Sequence, residues 1–134
     1  MIYLDTSAMV KLVVREAETA PLIEWLGKYP GVPIVTSALG RVELMRTALH
    51  DGSPGLQERA RDLLDSLDVV PLSDAVIDIA ESIGPSSLRS LDALHLASAS
   101  VIRAEMSAFV AYDHRLIAGA SALGYPTVAP GAEL

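Results

Sequence analysis

Short unbroken apolar runs alternate along this chain with longer stretches in which apolar residues recur every three or four positions, the signature of strands followed by helices. Residues 1–4 form an apolar run of strand length that ends at Asp5, and Thr6-Ser7 opens a helical pattern with Met9, Val10, Leu12, Val13 and Val14 as its apolar positions. Helical spacing resumes over residues 16–28 through Ala20, Ile23, Trp25 and Leu26, with Pro21 tolerable near the start, until Tyr-Pro-Gly breaks it. Residues 32–36 predict a second strand. Ser37 caps a helix to about Leu49, with Leu39, Val42, Met45 and Leu49 on its apolar face and a Gly- and Pro-rich stop at residues 51–55. A further helix is expected over residues 56–67 and a short strand over 69–72. Ser73-Asp74 caps a helix to Ile83, stopped by Gly84-Pro85, and Ser90 caps the next, whose Leu91, Leu94, Ala97, Ser98, Val101 and Ile102 fall at helical spacing. Residues 108–112 are the clearest strand, 115–123 a helix closed by Gly124, and 126–128 a last edge strand. The tail, residues 129–134, is expected to fray.

This alternation, with strands apolar on both faces, predicts a three-layer α/β/α sandwich around a mostly parallel central sheet of about five strands. Residues 1–134 are expected to form a single domain, with no repeat, linker or low-complexity segment. At 51% hydrophobic and 20% charged residues the chain is not disordered. The absence of cysteine excludes disulfides, thiolate zinc sites, iron–sulfur clusters and thiol nucleophiles, so chemistry rests on oxygen and imidazole. The first residues lack a basic segment followed by a long apolar one, and no stretch approaches the ~20 apolar residues of a membrane span, so a soluble, cytoplasmic protein is expected.

Four acids stand in four separate, otherwise apolar stretches: Asp5, Glu43, Asp92 and Asp113. A buried carboxylate is costly unless it is paired or holds a cation, and four together suggest one explanation, a site for a hard, oxygen-ligated ion such as Mg²⁺ or Mn²⁺. Asp5 and Asp113 each follow an apolar strand and precede a helix. In parallel α/β sheets ligands bind beyond the carboxyl ends of the strands, so both acids belong to one rim. Each has a plainer reading. Asp5 and Asp113 serve equally as helix N-caps, Asp92 suits the first turn of a helix dipole, and Glu43, in mid-helix, pairs with Arg41 or Arg46 on a partly exposed face. His95, one turn after Asp92, is expected as a packed, hydrogen-bonded residue rather than a ligand, His114 at the surface, and Trp25 in the core. Thr6 and Ser7 either support the metal site or simply open the helix. A net charge of −7, from 17 acids against 10 bases, opposes nucleic-acid binding, unless the acids face divalent ions that cancel them locally. Phosphate loops, nucleophile elbows and dinucleotide fingerprints are absent, and the motifs of integrin-type and haloacid-dehalogenase sites each lack their central ligand, with Met9 and Ser7 in those places.

Taken together, Ile-Tyr-Leu-Asp-Thr-Ser-Ala, Ser-Ala-Leu-Gly-Arg-Val-Glu-Leu-Met-Arg, Leu-Arg-Ser-Leu-Asp-Ala-Leu-His-Leu-Ala-Ser-Ala and Phe-Val-Ala-Tyr-Asp-His-Arg-Leu resemble the motifs of PIN-domain nucleases, most closely the VapC toxins of toxin-antitoxin pairs. The resemblance covers essentially the whole chain. It implies a metal-dependent endoribonuclease with Asp5, Glu43, Asp92 and Asp113 as its acidic quartet, Mg²⁺ as cofactor with Mn²⁺ as substitute, and a 5′-phosphate and a 3′-hydroxyl as products. It also implies an RNA substrate, tRNA or another structured or loop RNA, together with a homodimer and a small VapB-like antitoxin that blocks the cleft. Where such proteins often carry a hydroxyl two residues before the fourth acid, this chain has Ala111. Arg41, Arg46, Arg89 and Arg115 are the candidate phosphate contacts. The alternatives are a catalytically inactive PIN-like module that binds RNA or protein, and a metal-dependent phosphatase of small molecules, which would want a closed pocket. In the absence of metal, four clustered carboxylates repel, and at least one is expected to hold its proton above the usual range.

Overall fold

A computed structural model describes residues 1–132. In chain order the elements are β1 (Ile2–Leu4), α1 (Thr6–Val13), α2 (Thr19–Leu26), β2 (Ile34–Ser37), α3 (Ala38–Asp51), α4 (Leu56–Asp65), β3 (Asp68–Val70), α5 (Asp74–Ala80), α6 (Ser90–Ser100), a 3-10 turn at Arg103–Glu105, β4 (Ala108–Val110), α7 (His114–Ala122) and β5 (Thr127–Val128). The strands form one sheet in the order β3-β2-β1-β4-β5, and every neighbouring pair is parallel.

The period of two along each strand sorts its side chains into two layers. Ile2, Leu4, Ala108 and Val110 meet Ala8, Met9, Leu22, Leu44 and Leu64 from α1 to α4. Tyr3, Val35, Phe109 and Ala111 face the other way and pack on Val76, Leu96, Leu116 and Ala120 from α5 to α7. Tyr3 and Phe109 stack with ring centroids 5.1 Å apart. This is the predicted three-layer sandwich. Because β1 is central, the chain winds first to β2 and β3 on one side and later to β4 and β5 on the other. The strand order therefore reverses between β1 and β4, where such sheets open a crevice beyond their carboxyl ends.

The differences from expectation are local. The strands are short and α2 begins only at Thr19, because Glu16 to Glu18 are held in a turn in which Thr19 Oγ1 accepts from the Glu16 amide and donates to Lys11 O. Ser90 is the first residue of α6 rather than its cap; Arg89 takes the extended cap conformation, and no side chain closes that helix end. Helix α5 stops at Ala80, before Ile83. Trp25 is half-buried: it packs against the core layer of α1 to α4 from its margin and against Tyr29 at 4.9 Å. The segment after β5 does not fray as far as Ala132: Tyr112 Oη donates to Pro130 O at 2.8 Å, and Gly131, at φ +83°, lies so close to Pro21 that a Cβ there would meet it at 2.7 Å. The expectation for Glu133 and Leu134 lies outside the described residues.

Candidate active site

Asp5 and Asp113 end up where the strand-end rule puts them, and both also cap helices. Asp5 is extended, and its Oδ1 accepts from the Ala8 amide at 2.9 Å; Asp113 Oδ1 accepts from the Leu116 amide at 3.0 Å. The plainer reading of each is thus realised, and it does not compete with the other, because an N-cap leaves carboxylate lone pairs free. Ser7 ties the two strand ends together. Its hydroxyl donates to the Asp5 carboxylate at 2.7 and 2.8 Å, and its oxygen accepts from the Tyr112 amide at 2.9 Å, one residue before Asp113.

Glu43 projects from the second turn of α3. Its partners are not Arg41 or Arg46: Oε1 accepts from Thr6 Oγ1 and from His95 Nε2, both at 2.7 Å. A carboxylate only accepts, so Nε2 carries a proton, while Nδ1 shares a hydrogen bond with the Tyr3 hydroxyl at 3.0 Å. His95 is only 4% exposed and has both nitrogens engaged, which removes it as a metal ligand. Thr6 and Ser7 both touch candidate acids. Tyr3 is the residue that the sequence reading passed over; its polar end in an otherwise apolar strand was the available signal.

Glu43, Asp92 and Asp113, from three different elements, line one cleft of about 310 Å³ together with Arg89, Ser90, Leu91 and Arg115. Asp5 is 3% exposed and is not part of the cleft wall. A larger groove of about 540 Å³ lies between α5, the 81–89 loop and α6 with Glu81 as its one ionisable lining residue, and a hollow of about 390 Å³ beside α1 has Lys11, Arg15 and Glu16; neither gathers several acids as the smaller cleft does. Arg41 and Arg46 are exposed outside this cleft, and His114 is exposed.

Burial pushes the Asp5 carboxyl up to about 6, against opposing hydrogen bonds from Ala8 and Ser7, with the nearby Asp113 adding to the rise. A raised acid is therefore present, but desolvation rather than mutual repulsion is its main cause. Burial would raise Glu43 as well; the hydrogen bonds from His95 and Thr6 outweigh it and hold this carboxyl below the usual range. Tyr112, at the rim, is pushed up to about 12, first by burial and then by Glu18 and Asp5.

The donor set fits a hard divalent cation. It consists of carboxylate oxygens around a cleft, one of them in a buried acid that a cation would relieve of its proton. Among the described residues no three His, Asp or Glu side chains stand close enough to hold an ion as they are, so binding calls for side-chain rotation toward the ion.

This parallel sheet with acids at its reversal point defines the class of protein, and comparison with known proteins gives the family. The PIN domain family model matches residues 2–121, and the chain belongs to that family. It is 54% identical to Ribonuclease VapC47 of Mycobacterium tuberculosis over 134 residues, covering 98% of both chains, and 40% identical to Ribonuclease VapC46 of the same species over 129 residues, covering 96% of this chain and 97% of the relative. Among solved structures, FitAB bound to a DNA fragment superposes with a TM-score of 0.79 at 18% identity, covering 100% of this chain and 98% of that one. Mycobacterium tuberculosis VapC20, described as a sarcin-ricin loop cleaving toxin, superposes at 0.71 and 18% identity, covering 97% of this chain and 100% of that one. These last two likenesses show the fold.

Proposed function

We propose that this protein is a VapC-type toxin, an endoribonuclease that hydrolyses phosphodiester bonds of RNA with a divalent cation held by Asp5, Glu43, Asp92 and Asp113. The observation that carries the reading is the meeting of Glu43, Asp92 and Asp113 in one cleft with Arg89 and Arg115, in a chain more than half identical to a ribonuclease of this type. Bound Mg²⁺, or Mn²⁺ in its place, supplies charge neutralisation at the attacked phosphate and a more acidic water. The chain's own residues do the rest. Glu43, Asp92 and Asp113 would hold the ion from the cleft, with Asp5, at the end of β1, as the fourth carboxylate. Arg89 and Arg115, which form no ion pair among the described residues, offer guanidinium donors to the phosphate oxygens of the substrate. Five of the residues that line the cleft, Arg89, Ser90, Leu91, Asp113 and Arg115, are exposed, which favours a polymer over a small phosphate ester. Loops of structured RNA, tRNA among them, suit it, because an unstacked backbone can enter.

The relatives of solved structure include toxin-antitoxin complexes, one of them from Klebsiella pneumoniae, and the proposal extends to a VapB-like antitoxin whose cationic side chain occupies the cleft. It also includes a homodimer. No helix among the described residues is long and apolar enough to cross a membrane, in keeping with a cytoplasmic enzyme. The binding-module alternative is not favoured, since a module that cuts nothing has no use for so many acids around one cleft.

The test is cleavage of total RNA by the purified chain, free of antitoxin, with Mg²⁺, Mn²⁺ or EDTA, beside Asp5→Asn and Asp92→Asn. Metal-dependent fragments bearing 5′-phosphates, lost in both variants, are expected. A folded wild-type protein that cuts nothing with either metal would sink the nuclease reading.

A further inference from the structure

A histidine that is 4% exposed in α6 is an expensive way to fill space, since an apolar side chain of similar volume would avoid desolvating an imidazole. Here both ring nitrogens are committed, Nδ1 to the hydroxyl of Tyr3 and Nε2 to Glu43 Oε1. The fold makes room for the second bond. Gly40, one turn before Glu43, lets α3 lie so close to the sheet that a Cβ there would stand 2.6 Å from Thr36 Oγ1, with His95 Cε1 in ordinary contact at 3.5 Å. The result at Glu43 is asymmetric. Oε1 receives two donors, Thr6 and His95, while no hydrogen-bond donor to Oε2 is found among the described residues, and the side chain lines the cleft.

We propose that His95, braced by the Tyr3 hydroxyl, is a positioning residue for Glu43: it occupies Oε1 and so presents Oε2 alone to the divalent cation. The inference rests on the metal-site reading above and deepens it. A glutamate in mid-helix has several rotamers, and one that must be ordered by the ion itself gives up that freedom on binding; a glutamate already held gives up less. Thr6 alone would not suffice, because its hydroxyl rotates and supplies one bond, whereas the imidazole is fixed at both ends.

The experiment is calorimetric titration of Mn²⁺, without RNA, into the full chain and into His95→Leu, His95→Gln, Tyr3→Phe and Glu43→Gln, each with its melting temperature. Loss of a residue that orients a ligand typically weakens metal affinity about 10- to 100-fold. His95→Leu is expected to weaken Mn²⁺ by about tenfold or more on this scale, and Tyr3→Phe by less. His95→Gln should recover most of the loss, because its amide can donate to Oε1 from nearly the same reach as Nε2. In cleavage the loss should fall on kcat more than on KM. If Glu43→Gln weakens Mn²⁺ while His95→Leu binds it like wild type, the proposal is overturned and the metal site stands. A His95→Gln protein as weak as His95→Leu would likewise overturn it, leaving His95 a packing residue. Should His95→Leu not fold, Tyr3→Phe decides, and wild-type affinity there overturns the proposal. A wild-type chain that binds no Mn²⁺, or a Glu43→Gln chain that binds it unchanged, removes the metal-site reading and this proposal with it.

Discussion

Asp5 and Glu43 are both acids near one cleft, yet burial moves one and hydrogen bonding moves the other. The Asp5 carboxyl is pushed from an ordinary 3.8 up to about 6, so the folded, metal-free protein holds this proton more tightly than the unfolded chain. Stability from this group is complete below about pH 4, falls as pH rises toward 6 and stays lost above it, a loss of about 3 kcal/mol at roughly 1.4 kcal/mol per pKa unit. Asp5→Asn keeps the cap and removes the charge, so in EDTA at pH 7 it should stabilise the protein by up to about that amount while abolishing cleavage. Denaturant melts from pH 4 to 8 would read this out as a flatter profile for the variant. A variant no more stable than wild type at pH 7 would show that Asp5 is not a strained, buried anion. Glu43 has the opposite sign, since its carboxyl sits below the usual range and its contribution is lost as pH falls.

At the scale of elements, Asp113 belongs at once to a helix end and to the cleft. The two roles separate by substitution. Asp113→Asn should keep the α7 cap and lose cleavage, whereas Asp113→Ala should lose cleavage and also about 1 kcal/mol of stability. If both variants melt alike, the cap contributes nothing. Helix α3 carries a second dependence. A Cβ on Gly40 would meet the buried Thr36 hydroxyl at 2.6 Å, and that hydroxyl is itself committed to Leu4 O at 2.8 Å, so it cannot yield cheaply. Gly40→Ala should therefore cost about 1 to 3 kcal/mol, as overpacked cores do, despite alanine's better helix propensity. A thermal melt unchanged from wild type would mean that α3 can lift from the sheet without penalty. The caps at Ser37 and Ser73 were legible because a cap is decided within three residues. Ser90 is the better cap by residue type, yet Arg89 takes that position without a side-chain bond, so local capping chemistry does not set the start of α6.

Across the whole molecule, charge and site pull in different directions. A chain of net charge −7 repels RNA at a distance, so capture depends on the few cations at the cleft. Replacing Arg89 and Arg115 together by Ala should lower kcat/KM for RNA by about tenfold or more, flatten its salt dependence by about one to two phosphate contacts, and leave the melting temperature unchanged, since neither forms an ion pair among the described residues. The same double change at Arg41 and Arg46, exposed outside the cleft, should do much less. Equal effects from the two pairs would mean that RNA follows the surface of α3 rather than the cleft.

The sequence by itself determined the layer architecture, the order of elements and the strand-end placement of Asp5 and Asp113, because apolar runs, helical periods and caps are local and each is written within a few residues. Only the tertiary structure decided the partners of Glu43. Thr6 and His95 lie 37 and 52 positions away, and they reach it because parallel strands and their crossover helices bring α1, α3 and α6 to one edge of the sheet. It also decided that Asp5 sits behind the cleft rather than in its wall, and that desolvation outweighs repulsion there. Burial depends on everything packed around a residue, and no local pattern carries that information.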